Sequence, residues 1–214
     1  MKILVYTANI GGKDGVQPQP PEQNVEYVYY SDNPINDRPW KHMWPVFRDR
    51  NNRRTARMHK VQPHKIKNDD VDYTIWIDAS VQLKVKPSEL VNCLGDNLVA
   101  SFRHPTRSCI YEEAKVCSNY NLDVPSIIED QMNRYIKENY PYNNGLIESQ
   151  IVVVKHTPET RKFLDIWIRE IIMGSQRDQL SANYALWKAG LKWSTIPREY
   201  AVTKQHNRKT GIIN

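Results

Sequence analysis

Tyr73-Thr74-Ile75-Trp76-Ile77-Asp78-Ala79-Ser80 is a short apolar run closed by a small polar cluster. Four of its first five residues are aromatic or β-branched apolar side chains, the composition of a buried strand. Asp78 follows where such a strand would emerge from the sheet, and open α/β sheets bind ligands beyond those carboxyl ends. The same arrangement recurs earlier, as Thr7-Ala8-Asn9 after one apolar run and Ser31-Asp32-Asn33 after another.

Working outward, apolar runs predict strands at 3–7, 26–30, 73–77, 98–102, 150–155 and 193–196. Helical spacing predicts helices at 53–61, 87–93, 110–120, 126–138, 158–173 and 179–189. The helix at 158–173 has the fullest set of signals. Thr157 stands at its cap, Pro158 at its first turn and Gly174 at its end, while Phe163, Trp167 and Ile171 share one face. Alternating strands and helices predict an α/β domain with a mainly parallel sheet covered on both faces. Residues 11–24, rich in Gly, Pro and Gln, read as a long loop. There is no internal repeat.

The 214 residues suit one domain, 1–214, complete or the N-terminal part of a longer protein. Hydrophobic residues make up 40% and charged residues 25%, which excludes a disordered chain. No apolar run approaches the roughly 20 residues of a membrane span. Met1 leads directly into strand-like residues with no signal-peptide pattern, so a cytoplasmic setting is expected. Cys93, Cys109 and Cys117 are odd in number and lack paired spacing, which argues against a disulfide framework or zinc site. The net charge of +6 suits nucleic acid, an anionic membrane or a phosphorylated small molecule and alone decides nothing; without a compact basic-aromatic patch nucleic acid is not expected.

Four groups of residues carry candidate chemistry. Asp78 is either a ligand for a divalent ion bridging a diphosphate or a strand-end residue capping a turn. Arg57 and Lys60, three apart in the basic run 53–64, either reach phosphate oxygens or form a solvated helix face. Asp178 either faces a cleft or caps the helix it precedes. His206 and Lys209 either hold a metal and a phosphate or belong to a basic tail. Residues 204–211 are polar and patternless, and are expected to close over a ligand as a flexible segment. Arg103, His104 and Arg107 follow the fourth predicted strand and line an acceptor side or are surface residues.

Together, Tyr6-Thr7-Ala8-Asn9-Ile10-Gly11-Gly12, Arg57-x-x-Lys60-x-x-Pro63-His64, Ile75-Trp76-Ile77-Asp78, Glu148-Ser149-Gln150 and Ser175-Gln176-Arg177-Asp178-Gln179-Leu180-Ser181 resemble a plant and microbial glycosyltransferase-like family. The resemblance runs nearly end to end, and within the group the chain looks like chlorella-virus members implicated in capsid-protein glycosylation. It implies a GT-A fold, a UDP-sugar donor, Mn²⁺ or Mg²⁺, and a glycan or glycoprotein acceptor. Asp78-Ala79-Ser80 looks like the Asp-x-Asp metal motif of glycogenin-like transferases, with Ser80 in place of the second aspartate. Asp78, Ser80 and His206 are then the implied metal ligands, and an oxygen-imidazole shell favours Mn²⁺ modestly.

The resemblance further implies that Asp178 and Gln179 contact the donor sugar and that Lys209 contacts phosphate. Thr7, Ala8 and Asn9 would lie against the uridine. Tyr6 stacks on uracil or is core. Glu148 would lie near the anomeric carbon, and retention of configuration is expected. Glucose, galacturonic acid and a deoxyhexose such as rhamnose all suit the donor. Two other classes stay open at this point. Gly11-Gly12-Lys13-Asp14-Gly15 has a trace of the glycine-rich loop of a nucleotidylyltransferase, with a nucleotide-sugar hydrolase as its neighbour in chemistry. A non-catalytic basic binding module is the other.

Overall fold

The computed structural model describes residues 1–67 and 69–204. Its main sheet has seven strands. In chain order these are β1 (Ile3–Asn9), β2 (Val25–Ser31), β3 (Lys41–Met43), β4 (Tyr73–Ile77), β6 (Val99–Arg103), β7 (Ile147–Lys155) and β8 (Ser194–Thr195). The two strands β5 (Val81–Leu83) and β9 (Ala201–Thr203) form a separate antiparallel ribbon. The helices are α1 (Asn52–Val61), α2 (Pro63–Ile66), α3 (Pro87–Asn92), α4 (Ile110–Asn119), α5 (Pro125–Lys137), α6 (Pro158–Met173) and α7 (Gln179–Ala189).

The sheet order is β3-β2-β1-β4-β7-β6-β8. Every neighbouring pair is parallel except the two that involve β7. β7 therefore runs against its six companions, and its first residues meet the last residues of β4 and β6. That reversal delivers Glu148 and Ser149 to the end of the sheet where Asp78 emerges.

Side-chain alternation explains the layers. Leu4 and Tyr6 of β1 join Trp76, Val152, Phe163 and Trp167 in one core, beneath α1, α6 and α7. Ile3 and Val5 join Ile75, Ile77, Val153 and Leu90 in a second core on the opposite face, beneath α3. A third cluster fills the space among α4, α5 and α7, including Ile128, Tyr135 and Tyr184. Fully burying one large apolar side chain contributes about 1.5–3 kcal/mol, so Trp167 and Phe163, both at most 1% exposed, anchor α6 firmly. Its start is capped by Thr157, whose hydroxyl accepts from Thr160 N, and it ends at Gly174.

The sequence pattern locates the six longer helices and the long strands to within a residue or two at most ends. It passes over β3, β5, β9 and α2, which are three or four residues long and too short to show a period. The predicted strand at 193–196 shrinks to Ser194–Thr195. All three cysteines are free thiols, and among the described residues no helix is long and apolar enough to cross a membrane.

Candidate functional site

A cleft of about 260 Å³ opens at the carboxyl ends of β1 and β4. Ala8 and Asn9 line it from β1, Arg57 from α1, and Asp78, Ala79 and Ser80 from the turn after β4. Residues that the sequence separates by more than seventy positions thus share one wall. The turn is fixed by its backbone, since Val81 N donates to Asp78 O at 2.8 Å and Asp78 N donates to Gln150 O at 2.8 Å.

Beneath the cleft lies a compact group of opposite charges. Arg57 Nε is 2.8 Å from Asp178 Oδ1 and its Nη1 is 3.7 Å from Asp78 Oδ1. Lys60 Nζ is 2.5 Å from Asp178 Oδ2 and 3.6 Å from Asp78 Oδ1. Ser149 Oγ donates to Asp178 Oδ2 at 2.7 Å and accepts from Lys60 Nζ at 2.9 Å. Trp76 Nε1 donates to Asp78 Oδ1 at 2.7 Å. The Lys60 and Asp178 side chains are only 1% and 4% exposed, whereas Asp78 is 28% exposed toward the cleft.

Charges are buried at such cost only when they are paired; here each has an opposite charge beside it, and Lys60, Asp78 and Asp178 are hydrogen-bonded as well. Burial would push the Asp178 carboxyl up, but Arg57 and Lys60 outweigh it and hold the group well below the usual carboxylate range. Burial lowers the Lys60 ammonium despite the opposing pull of Asp178 and Asp78. For Arg57, burial is outweighed by the same two carboxylates, which raise it. The basic run of α1 is therefore no solvated face. Its inward turn carries Arg57 and Lys60 onto the sheet end, where Tyr6 OH donates to Lys60 O at 2.6 Å.

Asp178 occupies the cap position of α7, yet its side chain makes no capping bond. Its carboxylate belongs to the charge group instead, and Trp167 Nε1 donates to its backbone oxygen at 3.0 Å. Gln179, the first residue of α7, has a buried Nε2 without a hydrogen-bond partner among the described residues. Tyr6 is 1% exposed and edge-on to Trp76, which is the core alternative of the two left open by the sequence. Thr7 is fully buried. The Asn9 amide donates to Asp14 O at 2.7 Å and accepts from Lys13 N at 3.1 Å, folding the 11–14 turn over the cleft. Gly11 suits that turn because its φ of +80° lies in the left-handed region, which side chains with a Cβ rarely adopt.

Glu148 is ion-paired with Arg198, which also donates to Arg103 O at 2.6 Å. It does not line the cleft of Asp78. Arg107 pairs with Glu113 at 2.6 Å and with His104, and Arg103 lies over the Trp193 ring. His206 and Lys209 lie outside the described residues. The sequence reading missed Ser149, Trp76 as a donor to Asp78, and Arg53 and Arg177 as cleft residues. Strand alternation could have found Ser149, which shares its face of β7 with buried Ile147. Nothing local marks Arg53 among its basic neighbours.

The donor set was tested against a divalent ion. Asp78 uses Oδ1 for its hydrogen bond; its other carboxylate oxygen and Ser80 Oγ accept none from the described residues. These are two hard oxygens at one cleft. No group of three His, Cys, Asp or Glu side chains suited to a metal occurs among the described residues. The set fits an ion that draws its remaining ligands from phosphate and water, as Mg²⁺ and similar ions do.

A mainly parallel α/β sheet of this form, with a polar cleft at its strand ends, is the GT-A glycosyltransferase fold. Residues 41–208 match the TOD1/MUCI70 glycosyltransferase-like domain, and the chain belongs to that family of sugar-transferring enzymes. Among solved structures, the galactosyltransferase LgtC, determined with donor and acceptor sugar analogues, is 9% identical over 97% of this chain and 88% of its own, with a TM-score of 0.51. Mouse xyloside xylosyltransferase 1 is 9% identical over 91% and 84%, with a TM-score of 0.46. The bifunctional glycosyltransferase WbbM is 12% identical over 92% of this chain, which spans 38% of that protein, with a TM-score of 0.46. No curated protein sequence matches.

Proposed function

We propose that the cleft binds a UDP-sugar with Mn²⁺ or Mg²⁺ and transfers its sugar, with retention, to a glycan or glycoprotein. The observation that carries this reading is the convergence of Arg57, Lys60, Asp78 and Asp178 at the mouth of β1 and β4. Sugar transfer sends negative charge onto the departing diphosphate, and pre-positioned cations stabilise that charge in proportion to its growth. Arg57, which lines the cleft, is held by Asp178, and Lys60 lies buried beneath it on Asp178 and Ser149, so little reorganisation is needed. Asp78 and Ser80 would hold the metal, which when bound supplies Lewis-acid stabilisation of the diphosphate. The Ala8–Asn9 strand end lines the cleft beside them and suits the nucleoside.

Retention is supported by the state of the carboxylates. Inversion requires a carboxylate base beside the acceptor hydroxyl, with a proton affinity near the working pH. Asp178 is buried and held well below the carboxylate range, which makes it a poor base, and Glu148 is tied to Arg198. The resemblance to chlorella-virus members makes a capsid glycoprotein the first acceptor to try.

The test is calorimetric titration with UDP in Mn²⁺ and in chelator, followed by a screen of UDP-sugars with NMR of the product anomer. UDP should bind far better with metal, and Asp78→Ala should lower transfer by ~100-fold or more. Equal UDP affinity with and without metal would remove the metal from the proposal. An inverted product would remove retention.

A further inference from the structure

The cleft carries two guanidinium groups that the buried charge group does not use. Arg53, in the first turn of α1, and Arg177, just before α7, both line it. Neither has a carboxylate ion-pair partner within 4 Å among the described residues. Arg53 donates through Nη1 to Leu122 O at 3.3 Å, and Arg177 Nε is buried without a hydrogen-bond partner. Partial burial at the cleft wall, followed by repulsion from Arg177 and Arg57, lowers the proton affinity of Arg53, while Asp123 and Asp178 oppose that from a distance. Like charges held together in this way are an anion site awaiting its charge.

The scaffold that holds them is specific. Asp123, in the loop between α4 and α5, accepts from Ser175 Oγ at 2.6 Å and Gln176 N at 2.8 Å. Leu122 of the same loop orients Arg53. Buried Gln131 accepts from Ser175 N at 3.0 Å. One loop thus holds Arg53 directly and, through Ser175, the backbone that carries Arg177, whose N donates to Ser175 Oγ at 3.1 Å. The amides at the start of α1 are not the receptor, because Asn51 Oδ1 already accepts from Arg53 N and Arg54 N.

We propose that Arg53 and Arg177 form a preorganised clamp for the diphosphate of a nucleotide donor, with Asp123 as its positioning residue. This rests on the nucleotide-sugar reading above and deepens it. In the transfer, the anomeric C–O bond breaks with its electron pair passing to the β-phosphate oxygen. The acceptor oxygen bonds to the anomeric carbon, and the acceptor proton passes to the departing phosphate. The two guanidiniums offer planar, bidentate donors to the oxygens that gain this charge. Because they act on phosphate alone, their contribution is absent when the ligand is the bare nucleoside.

The experiment compares UDP and uridine binding to wild-type protein, R53Q, R177Q, R177K and D123N, by calorimetry with Mn²⁺ present. R53Q and R177Q should each weaken UDP about 10-fold and leave uridine unchanged, with R177K intermediate. D123N should weaken UDP less than R177Q, and its effect should shrink in the R177Q background, leaving only what passes through Leu122 to Arg53. Arg53 is exposed, so its variant tests the clamp without threatening the fold. UDP binding to wild type with an unchanged UDP-to-uridine ratio in R53Q and R177Q would overturn the clamp and leave the nucleotide-sugar reading standing. Failure of wild type to bind UDP at all would overturn both.

Discussion

Asp178→Asn removes one charge and almost no volume from the interior. In the wild type the carboxylate is 2.8 Å from Arg57 and 2.5 Å from Lys60, with Ser149 donating to it. At an effective dielectric of about 20, each such contact is worth about 6–7 kcal/mol of gross attraction. Most of that is offset by the cost of burying the three groups, so the gross figure is not the loss. Removing one partner of a buried pair typically costs about 3–5 kcal/mol, because the others stay buried without compensation. Here Asp78 remains 3.6–3.7 Å from both cations and Arg57 is 17% exposed, which lowers the expectation to about 2–4 kcal/mol. For a chain of this size that corresponds to a fall in Tm of roughly 5–15 °C.

Urea unfolding followed by tryptophan fluorescence, across a pH series, measures the loss. The folded pKa of Asp178 lies below its unfolded value of about 3.9. Its stabilisation is therefore complete above that value and is lost as pH falls toward the folded pKa. The gap between wild type and variant should be constant from pH 6 to 8 and narrow below about pH 4. A gap under about 1 kcal/mol at neutral pH, or one that persists unchanged in acid, would refute the argument that Asp178 anchors the two cations.

Two further outcomes are expected. His156 lies beside Thr74, and burial, aided by Lys67 and His64, lowers its pKa to about 4. Since the unfolded value is about 6.5, its contribution is present above pH 6.5 and is lost as pH falls toward 4. His156→Gln should flatten that part of the stability profile measured by denaturation, and an unchanged slope would count against it. Gly174→Ala would set a Cβ 2.7 Å from the buried Gln131 side chain, which is fixed by Ser175 N and Tyr135 OH. It should cost about 1–3 kcal/mol in urea unfolding, and a neutral result would show that Gln131 yields freely.

Asp178 and the Arg57–Lys60 pair show where local rules misjudge a side chain's surroundings. A residue just before a helix is most simply read as a cap, and a basic helical turn as a solvated face. Both readings rest on what is cheapest locally. The structure departs from both at the same place, where two unfavourable burials compensate each other. Natural proteins break local rules in this way at sites.

What the sequence determined by itself was the set of elements and the end of the sheet that matters. Short apolar runs and helical spacing indicated the α/β order, and polar clusters at 7–9, 31–33 and 78–80 marked one edge. The motifs placed Asp78, Ala79, Ser80, Arg57 and Lys60 among the candidates before any contact was known. Tertiary structure alone decided which partners those residues take. It buried Tyr6 in the core, tied Glu148 to Arg198, and brought Ser149 to Asp178 by reversing β7 against its neighbours. It also brought Arg53 and Arg177 to one cleft across more than a hundred residues. The physical reason is that periodicity reports which face of an element is buried, whereas charge pairing depends on distances between elements, and those are fixed only when the layers pack.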